Sequence, residues 1–153
     1  MTETNDAQEV RTPDALNGIV SYWIRLIQIS AYKQFESGTR GFGSSPRYYG
    51  LLKIVEHNPG LPQSRLAEAI GLDRSSLVPI LDTLEKEGTI ERRRAESDKR
   101  LRCTFITKKG AKTLTELDKL VAVHEAQMIA GLSEKERESL LRLLRKVAKG
   151  MGL

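Results

Sequence analysis

Cysteine is almost absent from this chain: Cys103 is the single one in 153 residues. That excludes an intramolecular disulfide framework and a multi-cysteine zinc site, since each needs several sulfurs. His57 and His124 are the only histidines, too few and too isolated to argue a metal centre. No stretch approaches the ~18 consecutive apolar residues of a membrane-spanning helix. The opening MTETNDAQEV is polar and acidic, where a signal peptide would be basic and then apolar. A cytoplasmic chain without a membrane partner is expected. A Gly-rich phosphate loop, a nucleophile elbow and a His-carboxylate metal motif are also missing, so neither an enzyme nor a cofactor is expected.

What is present fits one compact subunit, because 39% hydrophobic and 29% charged residues can bury a core at this length. The 25 Lys and Arg against 20 Asp and Glu leave a net charge of +5, and its location is more informative than its size. Between Glu91 and Lys109 the basic residues are Arg92, Arg93, Arg94, Lys99, Arg100, Arg102, Lys108 and Lys109, against Glu91, Glu96 and Asp98. That one segment carries the whole excess. Clustered cations release condensed counterions from phosphates, which makes such a segment the footprint of a polyanion partner. A solvated surface turn is the alternative on charge alone.

The periodicity predicts an order of helix, helix, helix-turn-helix, β-hairpin, helix, helix. Residues 1–12 have no period and read as a flexible tail. From Pro13 and Asp14 a long amphipathic helix runs to Ser37, with Ile19, Val20, Trp23, Leu26, Ile27, Ala31 and Phe35 on one stripe. After a Gly-rich loop, Ser45 and Pro46 read as N-cap and first residue of a second helix ending near His57. Pro62 suits the first turn of a short third helix, and Gly71 the residue past its end. Asp73 offers an N-cap to a fourth helix carrying Leu77, Ile80, Leu81 and Leu84. Thr89–Arg94 and Leu101–Ile106 read as hairpin strands. A helix from Thr107 and a last helix opened by the Ser133/Glu136 capping box complete the chain.

Residues 62–106 thus combine a short helix, a glycine turn, a helix with small polar residues at its start, and a basic hairpin. This is a winged helix-turn-helix. Arg74, Ser75 and Ser76 at the start of the second helix are free to meet base edges, since the major groove has the width of a helix. Pro79 conflicts with that helix, because it lacks the N–H of a regular turn. Either the helix is kinked there or it begins nearer Ser75 or Ser76.

The stretch LAEAIGLDRSSLVPILDTLEKEGTIERRRAESDKRLRCTFITKKG resembles the core of the MarR (multiple antibiotic resistance regulator) family of bacterial transcription regulators. Its most specific feature is the wing-tip D-x-R pattern of Asp98, Lys99 and Arg100, followed by LRCTFIT and KKG. The resemblance implies a mainly α fold with a small β-hairpin, double-stranded DNA and a second copy of the chain as partners, and a small ligand that releases the DNA. Arg100 would enter the minor groove with Asp98 holding its guanidinium. Arg92, Arg93, Arg94 and Lys99 would contact phosphate, joined by Gln63 and Ser64.

The terminal helices carry more Leu, Ile and Val than a small winged domain can cover, so their apolar face needs a partner. Leu16, Ile19, Leu140, Leu144 and Val147 are expected at that homodimer interface. Residues 14–37 and 107–151 are then dimerisation helices, and 45–106 the DNA-binding domain. A two-fold dimer reads a pseudo-palindromic operator with half-sites about one helical turn apart. Trp23, Tyr32, Arg47, Tyr48 and Tyr49 lie where the resemblance places an effector pocket, and aromatics with an arginine suit an aromatic carboxylate or related acyl compound. Cys103, on the hairpin, is a small buried strand residue rather than the reactive thiol of peroxide-sensing relatives. The expected function is a ligand-responsive repressor; a winged-helix module for protein assembly is the alternative, and it leaves the wing charge unexplained.

Overall fold

The computed structural model describes residues 13–95 and 101–152. The chain divides into two units, Met1–Gln34 and Phe35–Leu153. In the first, the single long helix expected from residue 14 is broken. Helix α1 spans Asp14–Asn17, Gly18 caps it, and α2 (Val20–Gly38) begins afresh. The Trp23 indole N–H donates to the Asn17 carbonyl at 3.0 Å and fastens the two pieces together. A glycine in the second turn removes the side chain that would have favoured continuing the helix. Neither α1 nor α2 has a buried residue.

In the second unit, α3 (Tyr49–His57) starts three residues later than the Ser45–Pro46 signal predicts. Ser45 does not cap a helix; its carbonyl accepts from the Tyr48 amide at 3.1 Å in a turn, and the residue is buried. Next come β1 (Leu61–Pro62) and α4 (Gln63–Ala69), then α5 (Arg74–Lys86). Strands β2 (Ile90–Arg94) and β3 (Arg102–Ile106) form the expected hairpin, with Ile90 opposite Ile106 and Arg94 opposite Arg102. Strand β1 was not expected. It adds to the far side of β3 through Leu61 opposite Thr104 and Pro62 opposite Cys103, giving an antiparallel sheet in the order β1-β3-β2. Two residues are too short for a period, and proline is tolerated there because β1 is an edge.

The core lies where these elements meet. Leu51, Leu52 and Val55 of α3 pack with Leu66 and Ala67 of α4, Leu77, Leu81 and Leu84 of α5, Ile90 of β2 and Leu114. Each leucine fully withdrawn from water contributes roughly 1.5–3 kcal/mol. Leu114 belongs to α6 (Lys108–Met128), capped by the Thr107 hydroxyl, which accepts from the Gly110 amide. Gly110 is there for want of space: a Cβ would lie 2.1 Å from the Thr89 carbonyl oxygen. Helix α6 therefore starts in backbone contact with the root of the wing. The last helix, α7 (Glu134–Gly150), opens with the predicted capping box of Ser133 and Glu136. It has no buried residue.

Candidate nucleic-acid interface and effector cavity

Helices α4 and α5 are set at an angle by Gly71, whose φ of +65° favours a residue without a side chain. Leu77, Leu81 and Leu84 face inward, so the opposite side of α5 faces solvent. That side presents Arg74, Ser75, Ser76, Pro79, Asp82, Thr83 and Lys86. The helix begins at Arg74, which settles the position of Pro79: it is an interior residue, and the Ser75 carbonyl loses the bond its N–H would have supplied.

Asp73 caps α5 as expected, but it does more. Its carboxylate accepts from the Ser76 amide at 2.8 Å, the Ser75 hydroxyl at 2.5 Å and the Ser76 hydroxyl at 2.8 Å. These bonds, the Ser75 hydroxyl foremost, hold the carboxyl far below the ordinary carboxylate range. Both serine protons therefore point back at the cap, and the serines present acceptor lone pairs outward. Arg74 is exposed and has no carboxylate partner among the described residues.

Gln63 is 5% exposed, and its Nε2 has no partner among the described residues. It borders a small depression of about 50 Å³ with Ser64, Arg74 and Arg102. Sequence reading placed Gln63, Ser64 and Arg74 at the interface separately; the fold brings them together and adds Arg102. The strand order explains why Arg102 was missed, since it neighbours α4 only once β1 has joined β3.

The three arginines of β2 have three different surroundings. Arg94 is exposed beside Arg102 across the ladder. Arg93 pairs with Glu91 and lies over the Phe105 ring at 5.1 Å, with 63% of its side chain exposed. Arg92 is turned the other way. Its side chain is 9% exposed and bonded to Glu85 at 2.5 Å and Asp82 at 2.6 Å. This departs from the expectation of a phosphate contact, because period two puts Arg92 on the face of β2 opposite Arg93. Asp98, Lys99 and Arg100 lie outside the described residues. Cys103 is buried, as its strand position predicts.

Of the aromatic candidates, Trp23 and Tyr32 belong to the first unit, where Trp23 meets Tyr22 edge-on. Arg47 lies over the Tyr48 ring at 5.6 Å in the second unit. The Tyr49 hydroxyl donates to Asp118 at 2.6 Å, and Lys53 joins the same carboxylate at 3.3 Å. That ties α3 to α6. Asp118 is held below its ordinary range by the Tyr49 hydrogen bond, while burial first and Asp118 second push Tyr49 up.

A cavity of about 410 Å³ lies elsewhere in the second unit, lined by Arg40, Phe42, Ser45, Glu87, Lys109 and Glu116 among others. Glu87, at the end of α5, accepts from the Ser44 amide at 3.1 Å and the Ser44 hydroxyl at 2.7 Å. Lys109 donates to the Glu87 carbonyl at 2.5 Å. The lining of this cavity is thus fastened to the end of α5. Sequence reading missed Arg40 and Lys109 because 69 positions separate them. No group of three or more potential metal ligands exists among the described residues.

Known proteins share this arrangement. The chain is 35% identical over 134 residues to a protein of Thauera aromatica described as a transcriptional regulatory protein for the hcr operon, covering 87% of this chain and 81% of that one. The transcriptional repressor CouR bound to a 23-mer DNA duplex superposes with a TM-score of 0.83 at 29% identity, over 92% of this chain and 99% of CouR. CouR has also been solved bound to p-coumaroyl-CoA, with a TM-score of 0.80 at 28% identity over 92% of this chain and 98% of that one. The PcaV transcriptional regulator of Streptomyces coelicolor, in complex with its natural ligand, gives 0.80 at 25% identity over 92% and 98% of the two chains. The family model described as "MarR family" matches residues 45–101. With the basic wing, the exposed start of α5 and these relatives in agreement, the chain belongs to the MarR family of transcriptional regulators.

Proposed function

We propose that this regulator is a repressor that binds a pseudo-palindromic operator as a homodimer and is released by a small aromatic acid or acyl effector. One observation carries the reading: the exposed start of α5 and the arginine-bearing β2–β3 wing project from one packed core, in a scaffold similar to that of a repressor bound to duplex DNA. Arg74, Ser75 and Ser76 would meet bases; Gln63, Ser64, Arg93, Arg94 and Lys99 would meet phosphate; Arg100, held by Asp98, would enter the minor groove. Support for the dimer comes from the exposed apolar face of α2 with Ile19 just before it, and from that of α7, which includes Leu140, Leu144 and Val147. Leu16 is half-buried and would join them. No described helix is long and apolar enough to cross a membrane, and a cytoplasmic site of action fits a DNA partner.

For the effector, CouR bound to p-coumaroyl-CoA and PcaV bound to its natural ligand support a small-molecule signal. The cleft beside Arg40 and Lys109 offers two cations, the carboxylates of Glu87 and Glu116 and the Phe42 ring to a polar aromatic compound, and Glu87 connects it to α5. Trp23, Tyr32, Arg47, Tyr48 and Tyr49 remain proposed contacts. Trp23 is the only tryptophan, so its fluorescence reports a ligand bound near it.

The test is duplex binding followed by anisotropy at several salt concentrations, with sedimentation of the free protein. Affinity should fall steeply with salt, by ~0.9 in log–log slope per phosphate neutralised, and the protein should sediment as a dimer. Salt-insensitive binding, or a stable monomer at micromolar concentration, would overturn the reading.

A further inference from the structure

Arg92 is the least exposed cation of the wing among the described residues, and its side-chain bonds all run to one helix. Its Nε donates to Glu85 at 3.0 Å and its Nη2 at 2.5 Å, and Nη2 also reaches Asp82 at 2.6 Å. The backbone amide of Arg92 donates to the same Glu85 carboxylate at 2.9 Å. Since β2 is an edge strand, that amide faces away from the sheet and the carboxylate covers an otherwise open edge. Glu85 is held below its ordinary range, chiefly by the Arg92 hydrogen bond. One guanidinium and one amide therefore attach the root of the wing to the last two turns of α5.

We propose that Arg92 is a positioning residue rather than a phosphate ligand: clasping Asp82 and Glu85, it fixes the angle at which the wing leaves the recognition helix and neutralises carboxylates that would otherwise repel DNA. The inference rests on the DNA-binding reading above. A specific site requires wing and helix to engage two grooves together, so a loosened wing loses operator affinity while non-specific attraction to phosphates persists. The guanidinium fork matters, because a lysine keeps the charge but cannot hold two carboxylates and one angle.

Sign separates the two roles. Removing the negative charge of Glu85 should strengthen any DNA binding in which Arg92 is a phosphate ligand, since it frees the cation. A clasp predicts the opposite. The probes are an operator duplex selected from a random pool by the wild-type protein and a scrambled duplex of the same length, each titrated at two salt concentrations. Glu85→Gln should bind operator roughly tenfold more weakly, the loss expected for one charge-assisted bond, with scrambled duplex bound as well as before or better. Arg92→Lys should show the same fall in the operator-to-scrambled ratio. A Glu85→Gln ratio equal to or above wild type overturns the proposal. Melting curves accompany each variant; should Glu85→Gln not fold, Asp82→Asn, at a side chain 58% exposed, carries the same comparison. Failure of the DNA reading shows in the wild type alone, as absence of any salt-sensitive duplex binding, and would overturn the clasp with it.

Discussion

Helices α5 and α7 are both leucine-rich, yet they treat their leucines oppositely. α5 buries Leu77, Leu81 and Leu84 completely, whereas α7 leaves Leu140, Leu143, Leu144 and Val147 exposed. Helix α2 behaves like α7, with Val20, Ile24 and Ile27 exposed. The winged part of the molecule thus finishes its core with its own residues and Leu114 of α6. The terminal helices present apolar faces of the kind that a second protein surface removes from water.

The sharpest way to break this contrast is to make equivalent truncations on both sides. Leu81→Ala empties a site that is fully buried, so it should cost about 2–5 kcal/mol by lost transfer and cavity formation. The cost should be the same at every protein concentration. Denaturant titration measures it, and a loss below 1 kcal/mol would mean that α5 is not the centre of the core.

On the other side, Leu144→Asp should leave the winged core intact and act on association. A carboxylate entering an apolar interface is desolvated without compensation, which costs about 2 kcal/mol or more and raises the dimer dissociation constant at least tenfold. Sedimentation at several concentrations reads it directly. An unchanged dimer with DNA binding retained would move the interface off α7.

The third effect belongs to the wing tip. Arg100→Ala should weaken operator binding by about 1–3 kcal/mol, the range for a specific contact, with melting temperature and dimer unchanged. Lys99→Ala should weaken operator and scrambled duplex equally and lower the salt slope by ~0.9. If Arg100→Ala matches wild type on operator, the tip has no part in recognition.

How much was legible in advance follows the same division. The capping of α5 by Asp73 and of α7 by Ser133 and Glu136 could be read from neighbouring residues, because a cap is a local event. The hairpin itself, though not its register, followed from two runs of strand formers around a polar turn. What sequence missed depends on distant parts of the chain. Strand β1 exists because Thr104 and Cys103 supply a partner edge; the cavity joins Arg40 to Lys109; Arg92 finds carboxylates ten and seven residues back on another element. A charge count treats Arg92, Arg93 and Arg94 alike. The pleat separates Arg93 from the other two, and only a fold shows which face meets α5 and that Arg92, not Arg94, reaches it. Gly18 was visible in sequence, but the strong apolar stripe on either side of it favoured one continuous helix.

The smallest effect compares the two caps as pH falls. Asp73 and Glu136 are both held below their ordinary pKa by serine hydroxyls and amides. A carboxyl with a depressed folded pKa contributes fully above its unfolded value of ~4 and loses that contribution as pH falls toward the folded value. Both caps are fully exposed, so each contribution is modest. Asp73→Asn keeps the N-cap oxygen that accepts from the Ser76 amide but gives up the charge at the helix N-terminus and the second oxygen that accepts from the Ser76 hydroxyl. Its melting temperature should fall slightly below wild type between pH 6 and 8, and the gap should close progressively below pH ~4, where the carboxyl of the unfolded wild-type chain takes up protons while the folded one still holds its charge. Ser133→Ala, which removes the other cap, should lower the melting temperature where α7 is part of the cooperative unit. If the Asp73→Asn gap stays constant to pH 3, the charge on Asp73 is not what the cap contributes, and the geometry of the Asn oxygen is enough.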